Sequence, residues 1–394
     1  MTTSPTSTAL SCQRDLFSLA PGDGFLNGAY MSPQLKSVHA AGIHALQQKN
    51  RPGNIRPNHF FEPVEELKKS YAQLIDCPEP TRIALIPAVS YGMATVAHNL
   101  PLNKGQNVVI PSGQFPSNYY SWSRRCEESG AELRIIECPE TSGDRGLAWT
   151  DALSAAIDQN TALLACGHLH WADGTLYDLP QLRAVTKKVG AWLIIDGTQS
   201  VGALPFSVAE FQPDALICAG YKWLMGPYAC AYAYYGPVFD EGKPIEDNWI
   251  NRQNSDDFKN LVNYQPAYRP GAARYGVGEH SNFLSVPMQL VAIQQLLSWT
   301  PEKIQEYCAH LWQTILPDLE ALGIRLQQRP AHHLVGIRLP QHFQADQLPA
   351  ELAKRNLSVS FRGDAIRVAP NVYNRVDEMA RLLDALRAVA GKGD

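Results

Sequence analysis

Short apolar runs alternate with amphipathic stretches through much of the chain. Seven runs rich in branched and aromatic residues predict strands over 83–87, 107–111, 132–136, 162–166, 191–195, 215–219 and 228–234. Stretches between or before them predict helices, as at 64–75, 151–158 and 180–189. Because strands that alternate with helices favour parallel pairing, the pattern predicts an α/β fold. Its sheet should be mostly parallel and doubly wound, with sites at the carboxyl ends of the strands.

A polar stretch from Glu241 to Gly271 interrupts this alternation. Beyond it, the pattern predicts helices and short strands at 286–298, 302–322, 333–338, 365–368 and 376–390. We therefore predict a large domain (56–272) and a smaller α+β domain (273–394). An amino-terminal segment (1–55) is expected to pack with the small domain and the active-site entrance. A chain of 394 residues exceeds the usual size of one domain, which agrees with this division.

Lys222 is the first candidate for chemistry, because it follows the apolar run 215–219 and precedes the turn Gly226-Pro227. A lysine in a poorly solvated pocket loses part of its preference for the charged form, so it can attack an aldehyde such as that of pyridoxal phosphate. Taken alone, a surface lysine is the commoner explanation. Asp196, after the run 191–195, can supply the anion that a pyridinium nitrogen needs, or it can cap a turn.

Two earlier segments fit the same chemistry. A helix predicted to begin near Ser90 would offer unpaired amides and a hydroxyl to a phosphate, although such a serine commonly caps a helix and does nothing more. Phe115 follows the run 107–111 and can either stack on a planar ring or belong to the core. The order of these parts along the chain, more than any one of them, indicates a pyridoxal site.

Two motifs carry a family resemblance: Asp196-Gly-Thr-Gln199-Ser-Val-Gly202 and Gly220-Tyr-Lys222-Trp-Leu-Met-Gly-Pro227. With the order of the other segments, they resemble the class V aminotransferase family of fold-type I pyridoxal phosphate enzymes. This family includes cysteine desulfurases, selenocysteine lyases, kynureninases and isopenicillin N epimerase. The resemblance spans nearly the whole chain and implies pyridoxal 5'-phosphate as the cofactor.

The resemblance also assigns roles to residues of the cofactor site. It implies that Lys222 holds the cofactor as a Schiff base, that Asp196 pairs with the ring nitrogen and that Gln199 bonds the ring hydroxyl. The remaining cofactor contacts would come from four further residues. Ser90 and Tyr221 would hold the phosphate, Phe115 would stack on the ring, and Val89, at the start of the predicted helix, would also contact the cofactor. His170 would lie beside the substrate and help to orient the leaving group.

Substrate binding and assembly follow from the same resemblance. Arg367 matches an arginine that binds the substrate carboxylate, for which a guanidinium offers two parallel donors. Asn27 and Tyr30 are expected at the substrate entrance. The segment from Arg274 to Asn282 resembles one that a neighbouring subunit contributes to the phosphate site, which implies a homodimer with shared active sites. His280, Ser281 and Asn282 are the candidates for that contact, and the choice among them stays open.

Composition excludes several other classes. The net charge is −4 with no basic run, so we expect no nucleic-acid partner. The eight cysteines contain no Cys-x-x-Cys pair, and His168 and His170 lack a third ligand nearby, so we expect neither a metal site nor a disulfide framework. Residues 1–11 do not resemble a secretory signal, and no apolar run has membrane-spanning length. These features predict a cytoplasmic enzyme with a small-molecule substrate.

The reaction itself is less determined. An L-amino acid bound as an external aldimine can undergo β-elimination, transamination or epimerisation. No cysteine lies between Cys308 and Arg367, which disfavours the persulfide route of desulfurases. The form of the segment 220–227 is more typical of lyase, kynureninase and epimerase branches than of transaminases. We therefore predict a β-lyase that breaks a C–S or C–C bond. The alternatives are an aminotransferase, an epimerase or a non-catalytic binding protein with the same fold, although a binding protein would not need Lys222, Asp196 and Arg367 together.

Overall fold

The computed structural model of the protein describes residues 9–391. Residues 1–8, on which most of the prediction about a secretory signal rests, lie outside this range, as do residues 392–394 at the end of the predicted small domain. Within the described range, no helix is both long and apolar enough to cross a bilayer.

The strands of the described residues form three sheets. In chain order they are β1 (Gly24–Phe25), β2 (Ile83–Ile86), β3 (Asn107–Pro111), β4 (Glu132–Ile136), β5 (Thr161–Gly167), β6 (Trp192–Asp196), β7 (Ala215–Ala219), β8 (Ala231–Tyr235), β9 (Val335–Ile337), β10 (Leu357–Ser358), β11 (Ser360–Arg362) and β12 (Ala365–Val368).

The α-helices of the same range surround these sheets. They are α1 (Lys36–Lys49), α2 (Glu62–Leu74), α3 (Val89–Asn99), α4 (Tyr120–Ser129), α5 (Arg145–Ala155), α6 (Leu179–Val189), α7 (Val208–Phe211), α8 (Ser285–Trp299), α9 (Pro301–Gln313), α10 (Leu316–Ala321), α11 (Leu348–Lys354) and α12 (Val376–Val389).

The largest sheet has seven strands in the order β2-β8-β7-β6-β5-β3-β4. Neighbours from β7 to β4 are parallel, and β8 runs antiparallel to both β7 and β2. Every residue of β2, β3, β7 and β8 is buried, as expected of strands with both faces covered. The predicted α/β fold with a mostly parallel sheet is confirmed, and it gathers the carboxyl ends of β5, β6 and β7 at one edge.

Two predicted helices are wrong in their extent. The helix predicted over 302–322 is interrupted between α9 and α10. Pro317 lies in the first turn of α10, and within a continuous helix its ring would collide with the carbonyl of Gln313. The helix predicted over 151–158 begins earlier, at Arg145, because the carboxylate of Asp144 accepts the N–H of Leu147 (3.0 Å) and caps it there.

The carboxy-terminal part contains a three-stranded antiparallel sheet in the order β11-β12-β9. A strand pair and an ion pair are among the contacts of the amino-terminal segment with this part. β1 pairs in parallel with β10, and the guanidinium of Arg14 forms a buried ion pair with Glu378 of α12 (2.7 Å). Arg14 also donates to the carbonyls of Ala20 and Asp23. One side chain therefore connects the turn that precedes β1 to α12.

The Arg14–Glu378 pair gives a stability test. Arg14→Met leaves the Glu378 carboxylate buried without its cation, so we expect the free energy of unfolding to fall by about 3–5 kcal/mol in denaturant titrations. Arg14→Met combined with Glu378→Met should recover much of that loss. The control is Arg387→Met, since Arg387 pairs with Asp318 at the surface and should contribute less than about 1 kcal/mol. Equal losses in the two single variants would contradict the assignment.

Candidate active site

A cavity of about 500 Å³ lies at the carboxyl ends of the central strands. Gly167, Asp196 and Ala219, which end β5, β6 and β7, all line it, and so does Lys222. This is the edge where parallel α/β sheets place their ligands. The sheet therefore brings the predicted lysine and carboxylate into one cavity.

The loop that carries Lys222 joins β7 to β8. Gly220 and Gly226 pack so closely against Gln289 of α8 that a Cβ atom at either position would collide with its side-chain amide. The N–H of Gly226 also donates to the carbonyl of Gly220 (2.9 Å), which closes the loop on itself. Only glycine allows this close approach, and this accounts for a glycine on each side of Lys222.

The amine of Lys222 lies in an apolar environment. Lys222 is only 8% exposed, and its Nζ is 5.5 Å from the ring centroid of Phe115 and 5.7 Å from that of Tyr221. Burial is the main cause that lowers the pKa of Lys222 to about 8; the charge of Asp196 opposes this, and that of Arg367 adds to it. Near pH 8, a large fraction of the amine is therefore neutral and nucleophilic.

Asp196 ends β6, and its Oδ1 accepts the N–H of Thr198 (3.0 Å). Burial raises the pKa of Asp196, while the hydrogen bond from Thr198 and the charge of Lys222 partly counteract it. A cation placed in the cavity beside this carboxylate would lower its pKa again. Asp196 can therefore supply a negative charge to a group in the cavity, because it has no strong cationic partner of its own.

Gln199 has an amide whose orientation is fixed by its neighbours. Its Oε1 accepts the indole N–H of Trp223 (2.9 Å), and its Nε2 donates to the carbonyl of Ala29 (3.0 Å). An indole N–H can only donate and a backbone carbonyl can only accept, so the amide cannot be turned over. The second hydrogen of Nε2 is left, and Gln199 can therefore offer a donor to a group in the cavity that it lines.

The start of α3 forms another part of the cavity wall, through Ala88, Val89 and Ser90. The first N–H groups of a helix lack intrahelical partners and attract anions. Tyr221 and Tyr228 also line the cavity, with ring centroids 4.5 Å apart. Burial raises the pKa of Tyr221, so its hydroxyl stays protonated. The wall thus includes several donors that suit a phosphate.

Phe115 and Trp171 form an aromatic wall, with ring centroids 5.4 Å apart in an edge-to-face arrangement. Trp171 is a site residue that sequence analysis missed, although a tryptophan directly after His170 in a loop that follows a predicted strand is a usable signal. Its Nε1 donates to the carbonyl of Gly113 (2.7 Å), close to the turn that carries Phe115.

His170 lies next to the cavity and is not among the residues that line it. Its Nε2 is 3.2 Å from the carbonyls of Ser112 and Gly113, and its ring is 5.0 Å from that of Trp149. These contacts hold the turn before Phe115. A direct role for His170 beside the leaving group stays a prediction.

Arg367 of β12 is 1% exposed and lies behind Trp171, to whose carbonyl its Nη1 donates (3.0 Å). Its Nη2 is 3.5 Å from the hydroxyl of Ser360, which in turn donates to Oδ1 of Asn27 (2.7 Å). The structure therefore links Arg367 and Asn27, two predicted substrate residues, through Ser360. A second arginine near the same tryptophan, Arg362, was not predicted.

The other predicted residues lie at the rim or farther away. Tyr30 is 58% exposed, and two residues later the N–H of Ser32 donates to the carbonyl of Tyr221 (3.2 Å). Ser281 and Asn282 do not line the cavity of their own chain. Ser281 is buried, and the side chain of Asn282 accepts the N–H of Ser285 (2.9 Å) at the start of α8. Their contact with a partner subunit, and the homodimer itself, stay predictions.

Comparison with known proteins decides the family. The model of the family described as aminotransferase class-V matches residues 38–234, a range that contains β2 to β7 and the lysine loop. The chain belongs to the class V aminotransferase family. It is therefore a pyridoxal-phosphate-dependent enzyme, and the cofactor predicted from the motifs is confirmed.

Several class V relatives align over most of the chain. The uncharacterized aminotransferase YcbU of Bacillus subtilis is 24% identical over 329 residues, which cover 83% of this chain and 84% of YcbU. Isopenicillin N epimerase of Streptomyces clavuligerus is 23% identical over 361 residues, with 83% and 84% covered. Among solved structures, a cysteine desulfurase from Thermococcus onnurineus has a TM-score of 0.81 at 18% identity, covering 97% of this chain and 99% of that one. The cystine C–S lyase C-DES has a TM-score of 0.81 at 17% identity, covering 93% and 97%. At these identities, the structural likeness shows the fold.

The cavity of this class V enzyme fits pyridoxal phosphate on its own geometry. It combines a buried amine of lowered pKa, a carboxylate without a strong cationic partner, an amide locked as a donor and a helix start. We expect Lys222, Asp196 and Gln199 to hold the ring and Ser90 to hold the phosphate, with Phe115 against the ring face.

The lowered pKa of Lys222 can be tested with pyridoxal, an aldehyde without the phosphate that would titrate in the same range. The protonated amine is unreactive, so the rate of covalent attachment to cofactor-free protein should rise about tenfold per pH unit up to about pH 8 and then level off. Borohydride trapping and mass spectrometry measure the rate at residue 222, with Lys222→Ala as the blank. A rate that keeps rising to pH 10 would indicate an ordinary lysine.

Proposed function

We propose that the protein is a β-lyase. It acts on an L-amino acid and breaks a C–S or C–C bond at Cβ, without forming a persulfide on the enzyme. The observation that carries the absence of an enzyme persulfide is the environment of the thiols. Cys230 is the one cysteine among the residues that line the cavity, and burial raises its pKa to about 12. Because the thiolate is the nucleophile in sulfur transfer, such a thiol is a poor acceptor.

Cys308 supports the same conclusion. It is fully buried in α9, where its Sγ contacts the carbonyl of Pro370 (3.5 Å), and it lies 59 residues before Arg367. Within the described range, no cysteine lies on the hairpin that presents Arg367. A sulfur leaving group would therefore be released into the cavity and would not be transferred to a cysteine of the enzyme.

Residues of the chain have separate roles in the proposed reaction. Bound pyridoxal phosphate supplies an electron sink for the pair left at Cα. We propose that Lys222 would hold the cofactor through its amine and would move the Cα proton of the substrate as a base. Asp196 would face the ring nitrogen and hold a proton there, and Arg367 would bind the α-carboxylate and orient the Cα bonds relative to Lys222. Phe115 and Trp171 exclude water from the ring face.

Lys222 is the one lysine among the lining residues, and it supplies the single strong base that β-elimination needs at Cα. Transamination also needs only one base, and it stays the second candidate because the relative YcbU is named an aminotransferase.

The reaction type is tested with purified holoenzyme and a panel of L-amino acids, without any keto acid. We expect the cofactor spectrum to return to its starting form while pyruvate, alanine, ammonia or sulfide accumulates over many turnovers. These products identify the leaving group. If the cofactor instead ends as pyridoxamine phosphate after one turnover, the enzyme is an aminotransferase and the lyase proposal is wrong.

The role of Asp196 is tested by Asp196→Asn, which keeps the shape of the side chain and removes its charge. The cofactor should still attach to Lys222, as seen by borohydride trapping, whereas turnover should fall roughly 100- to 1,000-fold because an electrostatic group acting in the transition state is lost. Asp318→Asn, at the surface of α10, is the matched control. Undiminished turnover in Asp196→Asn would remove Asp196 from the mechanism.

A further inference from the structure

Two arginines lie beside one tryptophan of the active site. The guanidinium carbons of Arg362 and Arg367 are 5.7 Å and 5.8 Å from the ring centroid of Trp171, which lines the cavity. They belong to neighbouring antiparallel strands, β11 and β12, joined by a tight turn. Both are close enough to Lys222 for their charges to lower its pKa. Two cations therefore lie beside Trp171, just outside the residues that themselves line the cavity.

Neither arginine has an acidic partner among the described residues. Arg362 donates to the carbonyl of its neighbour Phe361 (2.7 Å), and Arg367 donates to the carbonyl of Trp171. The nearby carboxylates are already engaged. Arg338 holds both Asp364 and Asp173 (2.8 Å each). The hairpin thus carries two guanidiniums whose charges the protein leaves uncompensated.

Substrate anions are the natural partners for such charges. On the proposed function, Arg367 takes the α-carboxylate, and that leaves Arg362 without a role. Unlike Arg367, which is almost fully buried, Arg362 keeps part of its side chain open to solvent and can meet the distal end of a longer ligand. Arginine binds carboxylates through paired, charge-assisted hydrogen bonds, and these bonds discriminate strongly between substrates.

We propose that Arg362 is a specificity-determining residue, which binds a second anionic group on the side chain of the substrate. The preferred substrate is then an amino acid with two carboxylates, or with a carboxylate and another anion of similar shape, and not a small neutral one. The indole of Trp171, which lies near both guanidiniums, would pack against the chain that joins the two anions.

The experiment measures binding without turnover. Linear dicarboxylates of three to six carbons, and monocarboxylates of the same lengths, are titrated into the holoenzyme by calorimetry. We expect the best dicarboxylate to bind wild type at least about tenfold more tightly than its monocarboxylate counterpart. Arg362→Gln should weaken that dicarboxylate by about 10- to 100-fold and change the monocarboxylate by less than about twofold, as loss of a charged hydrogen bond predicts.

Three variants complete the comparison. Arg367→Gln should weaken the binding of both ligand series, whereas Arg362→Lys should keep part of the dicarboxylate preference. Arg387→Gln, near the carboxyl end of α12, is the control and should change the binding of neither series. Thermal unfolding checks that each variant is folded. The proposal is overturned if wild type shows no dicarboxylate preference, if Arg362→Gln leaves both series unchanged, or if it weakens both equally, since the two arginines would then share one carboxylate.

Because no bond is broken in these titrations, they are independent of the reaction type. A dicarboxylate preference that disappears in Arg362→Gln supports this inference even if the product assay identifies a transaminase. Conversely, lyase activity on small neutral amino acids, with no such preference, would leave the proposed reaction intact and refute the role of Arg362.

Discussion

The burial of one amine is the constraint on which the active site depends. An ammonium group loses solvation when it is surrounded by aromatic rings, and the protein compensates only in part, through the carboxylate of Asp196. The residues around Lys222 both bury its amine and compensate part of the lost solvation. Glycines let its loop pack on Gln289, Phe115 and Tyr221 provide ring faces for the cation, and the sheet places Asp196 one strand away. An amine held in this way reacts readily, because the charged form is the costly one.

Much of this arrangement can be predicted from the sequence. Several strands of the central sheet, such as β2, β7 and β8, are fully buried apolar runs, and such runs are visible without alternation. Asp196 directly follows one apolar run, and Lys222 lies three residues after the end of another. Ser90 and Val89 follow another, and all four line the cavity.

Other features are harder to predict, because they depend on contacts between distant residues or on weak local signals. Trp171 and Arg362 come together only because residues far apart in the chain fold onto one another. The donor role of Gln199 depends on Trp223 and on Ala29, which is distant in sequence. The break between α9 and α10 did have a local signal, Pro317, which the regular apolar spacing of that stretch outweighed. The early start of α5 depends on a capping aspartate within a polar segment that resembles a loop.

The position of the lysine loop has a mechanical consequence. It connects β7 to β8, which are antiparallel neighbours paired up to Ala219 and Ala231, and the N–H of Gly220 donates to the carbonyl of Cys230 just above them. Hydrogen bonds between β7 and β8 therefore join the two ends of the loop directly. In a crossover connection, the two ends lie at opposite ends of their strands and are not joined in this way. On the proposed function, the amine has to swing aside during the reaction, and this rotation would then fall mainly to the methylene stem of Lys222.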